Sequence, residues 1–370
     1  MFAADNKIMR LKFILPVLLF NLSLLAVGNQ CLDGSPKNQK FKRILETSDY
    51  FLVKEFRTKG LFKATEGGIG CKNCSTTAQR LGLPDKLSEI PKECIQASLK
   101  RKVAQTSIEC TRTPNGNWAY TPHSSRSTST PCIDNSSVDY IHFVTNKVIS
   151  CFQGLAMRNG VKETIDPKLL YSKLNNESSF NFTYSYGGGV GAGQLTGWAV
   201  QEMNVLDPRR TKGKVVKGNG RFILDEILNS SNPECAGLKP IIENDLKFKY
   251  HSPRKINCEW VSMENGLARN LIYSIGYFSF LKHQVIGKEL KKRAPLAYKD
   301  PELLNLLTLV GYGPKGANRA LTLIRTLKIG APPNSNGYFK QQLKKEVYLK
   351  NTAAKMAEVK KIGGGLCRLL

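Results

Sequence analysis

The chain has 370 residues, 55 Lys and Arg against 29 Asp and Glu, a formal charge of +26, and 41% apolar residues. A chain of that length and apolar content can bury a sizeable core and hold two domains, and its composition is neither that of a disordered nor that of a fibrous protein. The positive surplus suits a polyanionic partner such as nucleic acid, an acidic membrane surface or an anionic cell-wall polymer, and charge alone does not choose among them.

Lys7, Arg10 and Lys12 precede an apolar run from Phe13 to Val27, and the small residues Ala26 and Gly28 sit at cleavage spacing. Residues 1–28 are therefore predicted to be a secretory signal peptide. Pro16, Asn21 and Ser23 interrupt the run, which is shorter than the roughly 20 residues needed to span a bilayer, so a membrane anchor is the weaker reading. Export to a periplasmic or secreted location makes disulfides the expected state of the ten cysteines. Cys71 and Cys74 have the spacing of half a zinc site or of a redox pair, but no second such pair accompanies them, and a structural disulfide is expected.

Residues 29–137 hold six of the ten cysteines and the polar stretch from His123 to Thr130. They predict a Cys-rich, loop-rich N-terminal extension without chemistry of its own. From Val138 the texture changes: Tyr140, Phe143, Val144, Val148, Cys151, Phe152 and Leu155 recur at helical spacing. Asp166 as N-cap and Pro167 at the first helical position start a second helix that ends near Glu177. The glycines between Tyr186 and Gly191 cannot sustain a helix and predict a tight loop. Residues 197–262 are expected to form an inserted lobe, with Cys235 paired to Cys258 across it. Helical patterns resume from Glu264 to about Lys292, from Pro301 to Gly311, and from Ala317 to Lys328. Residues 336–370 read as a basic C-terminal tail, a basic helix from Tyr338 followed by Gly363-Gly364-Gly365, surface-lying or only partly ordered.

Glu177 is the residue most suggestive of chemistry. It ends an apolar-faced helix beside Ser178 and Phe180, with the glycine loop directly after it. A carboxyl held against apolar side chains keeps its proton to higher pH and can deliver it near neutrality, as a glycosidic leaving oxygen requires. The bland alternative is a solvated glutamate at a helix end.

The stretch Glu177-Ser178-Ser179-Phe180-Asn181, then Ser185, then Gly188-Gly189-Val190-Gly191-Ala192-Gly193-Gln194-Leu195 resembles the catalytic stretch of lytic transglycosylases, members of the lysozyme-like superfamily. It departs by one fewer residue between Asn181 and Ser185 and by Gly189 in place of an alanine. Asn270-Leu271, Ser274 and Tyr277-Phe278 are similar to the family's next helix, with Ser274 where a glycine is usual. Val310-Gly311-Tyr312-Gly313-Pro314, followed by Asn318-Arg319-Ala320-Leu321, is similar to its Ala-Tyr-Asn-Ala-Gly-Pro segment, with Gly313 in place of the asparagine. The resemblance covers roughly residues 138–330.

The resemblance implies a mainly α fold, α+β and lysozyme-like, as a helical transglycosylase domain over 138–335. It implies Glu177 as the single general acid and base, acting on peptidoglycan glycan strands at the bond between N-acetylmuramic acid and N-acetylglucosamine and leaving a 1,6-anhydro end. Ser185 and Gln194 are the implied sugar-binding groups, and Tyr312 the tyrosine that bonds to Glu177 or the adjacent sugar. Ser185 could instead cap a turn, Gln194 brace the loop, and Tyr312 belong to the core. Glu202 and Asp207 follow the loop, yet neither stands out as the second carboxylate of an ordinary glycosidase. No cofactor or metal is implied. The basic tail suits contact with an acidic wall or membrane surface, and no recognisable nucleic-acid motif is present. A hydrolytic lysozyme and a non-catalytic peptidoglycan-binding protein are the alternatives.

Overall fold

A computed structural model describes residues 90–100, 108–112, 118–122, 135–180, 185–186, 189–204, 219–247, 266–327, 335–363 and 367. The predicted signal peptide, most of the Cys-rich extension, Asp207 and Cys258 lie outside the described residues. Helices dominate what is described. In chain order they begin with α1 (Lys92–Lys100), a hairpin of β1 (Ile108–Arg112) and β2 (Trp118–Pro122), α2 (Asn135–Phe152) and α3 (Pro167–Ser178). A minimal hairpin of β3 (Ser185–Tyr186) and β4 (Gly189–Val190) leads to α4 (Gly197–Met203) and α5 (Arg221–Asn229). A 3-10 turn (Pro233–Leu238) continues into α6 (Lys239–Lys247). Then come α7 (Gly266–Phe280), a π-helical segment (Leu281–Ile286), α8 (Gly287–Arg293), α9 (Pro295–Tyr298), α10 (Pro301–Tyr312), α11 (Gly316–Arg325), α12 (Ser335–Lys344) and α13 (Val347–Gly363). Both hairpins are antiparallel and two-stranded, so the expectation of a mainly α chain holds.

Helix α7 is the axis of the core. Its sequence is apolar around most of its circumference, and every residue except Tyr277 is buried, as expected of a helix that neighbours surround. Some of its polar side chains carry specific bonds. Arg269 pairs with the buried Asp245 of α6 at 2.6 Å, and Asn270 and Ser274 face the loop after Glu177. Around it, α2, α4, α5 and the π-helical segment contribute Val148, Phe152, Val200, Met203, Ile223 and Ile286 to one continuous apolar cluster. The described part of 197–262 therefore belongs to the same core rather than standing apart as a lobe.

One connection differs from the sequence expectation, and a second was not foreseen. Cys235 bonds to Cys151, not to Cys258, and so ties the end of α2 to the 3-10 turn. Spacing could not reveal this, because the partners are brought together by packing of α2 on that turn. Cys94 bonds to Cys367 and joins α1 to the far end of the described chain. The supposed tail contains α13, whose Leu349, Thr352, Met356 and Val359 are buried at helical spacing. They pack on α3, α1 and α10, so this segment is part of the core rather than an adsorbed or disordered extension. Its lysines masked the apolar stripe in the sequence.

The approach to α3 is stiffened twice. The Gln153 side chain closes the turn 153–165 by donating to the Ile165 carbonyl at 2.6 Å and accepting from the Ile165 amide at 3.2 Å. At the same turn Glu163, fully buried, receives the Lys282 ammonium at 2.8 Å and faces His283 Nε2 at 3.1 Å. The hydrogen bond to His283 and the charge of Lys282 hold the Glu163 carboxyl down at about 2 even though burial, the largest influence, pushes it up. Asp166 then caps α3 by accepting from the Lys168 amide at 2.9 Å, with Pro167 at the first position, as the sequence predicts.

Candidate active site

Helix α3 places Glu177 one residue from its end. Tyr171 fixes the helix from behind. Its hydroxyl donates to the Cys94 carbonyl at 2.8 Å, which leaves it to accept from Ser98 Oγ at 2.7 Å. After Ser178 the backbone turns left-handed at Ser179 (φ 55°) and Phe180 (φ 63°). Together with Gln194 (φ 48°) these are the non-glycine residues of positive φ among the described residues, and all three flank Glu177 or its loop. Left-handed backbone costs an L residue ~1–2 kcal/mol, here offset by the complete burial of Phe180 against Tyr171, ring centroids 5.5 Å apart. Strain gathered at one place is a mark of function rather than of folding economy.

The glycine loop lies across α7. Ser178 Oγ donates to the Ala192 carbonyl at 2.8 Å, and Asn270 Oδ1 accepts from the Gly193 amide at 2.7 Å. A Cβ at Gly191 would come within 2.3 Å of Asn270 Nδ2, and one at Gly193 within 2.3 Å of Ser274 Cβ. The loop must therefore be glycine at both places to sit this close to α7. Gln194 Nε2 donates to the Gly191 carbonyl at 2.9 Å, so its side chain braces the turn. Ser185 stands opposite Val190 in the β3–β4 hairpin.

Tyr312 and Glu177 belong to one cluster but are not bonded to each other, so of the two partners the resemblance implies for Tyr312, Glu177 or the adjacent sugar, the first is not the one it meets here. The Tyr312 hydroxyl donates to the Gly193 carbonyl at 2.7 Å, locking α10 to the loop. The phenol that bonds to Glu177 is Tyr348, on the first turn of α13, donating to Glu177 Oε1. Nothing local in the sequence singles out Tyr348, because its lysine-rich segment reads as a surface-lying tail. Its presence accounts for glycine at position 313: a Cβ there would meet Tyr348 Cδ2 at 2.8 Å. Glu346, two residues before Tyr348, takes both Nε and Nη2 of Arg319 on α11, a forked pair that fixes where α13 begins. Arg319 thus fixes the start of the helix that carries Tyr348, and Tyr312 fixes the loop.

Glu177, Tyr312, Tyr348 and Gln194 are each partly exposed, while Ser178, Asn270, Ser274 and Lys173 behind them are buried. The reactive edge faces outward on a rigid backing. Burial pushes the Glu177 carboxyl above its usual range; the charge of Lys173, the Tyr348 hydroxyl and the charge of Lys355 pull it back in that order. Lys355 itself donates to the Asn176 carbonyl. Burial raises Tyr312 and Tyr348 well beyond the ordinary phenol value, so both are neutral donors at any working pH. Among the described residues no carboxylate is one of the groups that act on Glu177. Among the described residues no cluster of three or more His, Cys, Asp or Glu side chains could hold a metal ion. The arrangement can protonate a leaving oxygen and then take a proton back.

Comparison with protein families, with curated proteins and with solved structures finds no match to this chain.

Proposed function

We propose that the chain is an exported peptidoglycan lytic transglycosylase of lysozyme-like fold. The observation that carries this reading is a partly exposed carboxyl with a raised pKa on which, among the described residues, a phenol and two ammonium groups act and no second carboxylate does. An ordinary glycosidase needs two carboxyl groups across the bond. A transglycosylase needs one, because the substrate supplies its own nucleophile.

In the first half-reaction Glu177 gives its proton to the glycosidic oxygen between N-acetylmuramic acid and N-acetylglucosamine, and the C1–O bond breaks. The substrate's acetamido group steadies the cationic centre. The Glu177 carboxylate, held by Tyr348 and by the neighbouring positive charges, then takes the proton of the C6 hydroxyl as its oxygen bonds to C1. Protons balance and no water is consumed. Holding the C6 hydroxyl in place supplies an advantage over bulk water, up to roughly 7–11 kcal/mol in ideal intramolecular cases. Gln194 and Ser185, on the loop and hairpin beyond Glu177, are the sugar-facing candidates, and Tyr312 keeps the loop in register. The positive surface, including the exposed Lys350 and Lys361 of α13, draws the enzyme to an anionic wall.

Incubation with purified sacculi followed by mass spectrometry of the fragments tests the proposal. Anhydro-muramic ends that disappear with Glu177→Gln are expected. Reducing ends would instead indicate a hydrolytic lysozyme, and no fragments a binding protein; either result overturns the transglycosylase.

A further inference from the structure

Lys173 sits where a buried helix face calls for an apolar side chain. It lies one turn before Glu177, between the buried residues Tyr171 and Leu174, and is itself fully buried. Among the described residues its ammonium makes no hydrogen bond. It rests on the face of the Tyr312 ring, 3.8 Å from the centroid. Burying an ammonium without hydrogen bonds costs several kcal/mol, on the order of that for any lone interior ion. Two features offset it: the electron-rich face of Tyr312 and the carboxyl of Glu177 along the same helix.

We propose that Lys173 is a positioning residue of this site, a fixed interior countercharge that favours the carboxylate of Glu177 once its proton has been given up and seats Tyr312 against the glycine loop. The proposal rests on the transglycosylase reading above and names how its single carboxyl serves both half-reactions. The groups facing Glu177 are Lys173 on α3, Tyr348 and Lys355 on α13, and Tyr312 on α10. Lys355 is tied to the Asn176 carbonyl, and both phenols stay neutral. Burial brings the Lys173 ammonium down to about 8, opposed by Glu177, so it is still charged at neutral pH.

The signs follow. Without the Lys173 charge Glu177 keeps its proton to higher pH, so Lys173→Met moves the alkaline limb of the kcat/KM profile upward by roughly one pH unit or more, the size of effect a nearby opposite charge exerts. The maximal rate falls, whereas the melting temperature holds or rises because the cost of burying the ammonium is removed and Glu177, which keeps its proton, is left with no unpaired charge. Lys173→Arg, which keeps the charge, leaves the limb in place. A purely structural lysine would give a lower melting temperature and an unmoved limb.

The experiment pairs that profile, on sacculi, with a carbon-13 carboxyl titration of Glu177 in the full chain without substrate. A raised Glu177 midpoint and a raised alkaline limb in Lys173→Met support the proposal. An unchanged midpoint overturns it even where the unaltered chain cleaves glycan. If the unaltered chain yields no fragments while the midpoint still moves, the transglycosylase reading falls and the coupling of Lys173 to Glu177 stands. Should Lys173→Met fail to fold, Lys173→Gln carries the same comparison.

Discussion

Replacing Glu163 by glutamine should destabilise the protein by a pH-dependent amount that can be worked out in advance. The carboxyl is fully buried with Lys282 and His283 on its two oxygens. Its pKa lies at about 2 rather than 4.5, which at ~1.4 kcal/mol per unit is on the order of 3 kcal/mol of stability. Removing one partner of a buried pair costs a similar ~3–5 kcal/mol, since the Lys282 ammonium is left without its countercharge. At about 2–4 °C per kcal/mol for a domain of this size, Glu163→Gln should melt roughly 6–12 °C below the parent at neutral pH. Because the folded pKa is depressed, the contribution is complete above about 4.5 and is lost as pH falls through about 2. The gap between parent and variant must therefore narrow in that window. Thermal unfolding followed by circular dichroism between pH 7 and pH 2.5 measures it. Coincident melting curves at neutral pH, or a gap that stays constant on acidification, would refute the reasoning.

Tyr348→Phe removes a hydrogen bond to a charged acceptor, worth ~1.5–3 kcal/mol, so glycan cleavage should drop roughly 10- to 100-fold with little change in melting temperature. Gly313→Ala should reproduce that loss without touching the phenol, since its methyl displaces the Tyr348 ring; normal activity in this variant would show that Tyr348 does not act through its placement. Exchanging Cys94 and Cys367 together for serine opens the bridge between α1 and the end of the chain. That should cost ~2–5 kcal/mol, read as a lower denaturant midpoint.

The parts of the site that were legible in the sequence are those that depend on local rules. Asp166-Pro167 announced the start of α3 through cap geometry, and the glycines after Tyr186 announced a loop no helix could replace. The Glu177–Ser178 pair and Tyr312 were recognisable by order and spacing. What stayed hidden depends on contacts between distant segments. The Cys151–Cys235 bond reflects packing of α2, and the choice of Tyr348 over Tyr312 as the partner of Glu177 reflects how α13 returns over α3. Lys173 was passed over because a lysine on an amphipathic helix is ordinarily solvated, and only tertiary burial reveals that this one is not. Gly313 looked like a defect in a motif; in three dimensions it is room for an aromatic ring.

The return of α13 has a consequence for how the molecule comes into being. A growing polypeptide carries Glu177 long before it carries Tyr348 and Lys355, and the cystine that clamps the late helix beside α1 can close only where thiols are oxidised. The acid is thus made early and completed late. Nascent copies that still lack α13 therefore carry Glu177 without the phenol that bonds to it and without one of the two ammonium groups beside it.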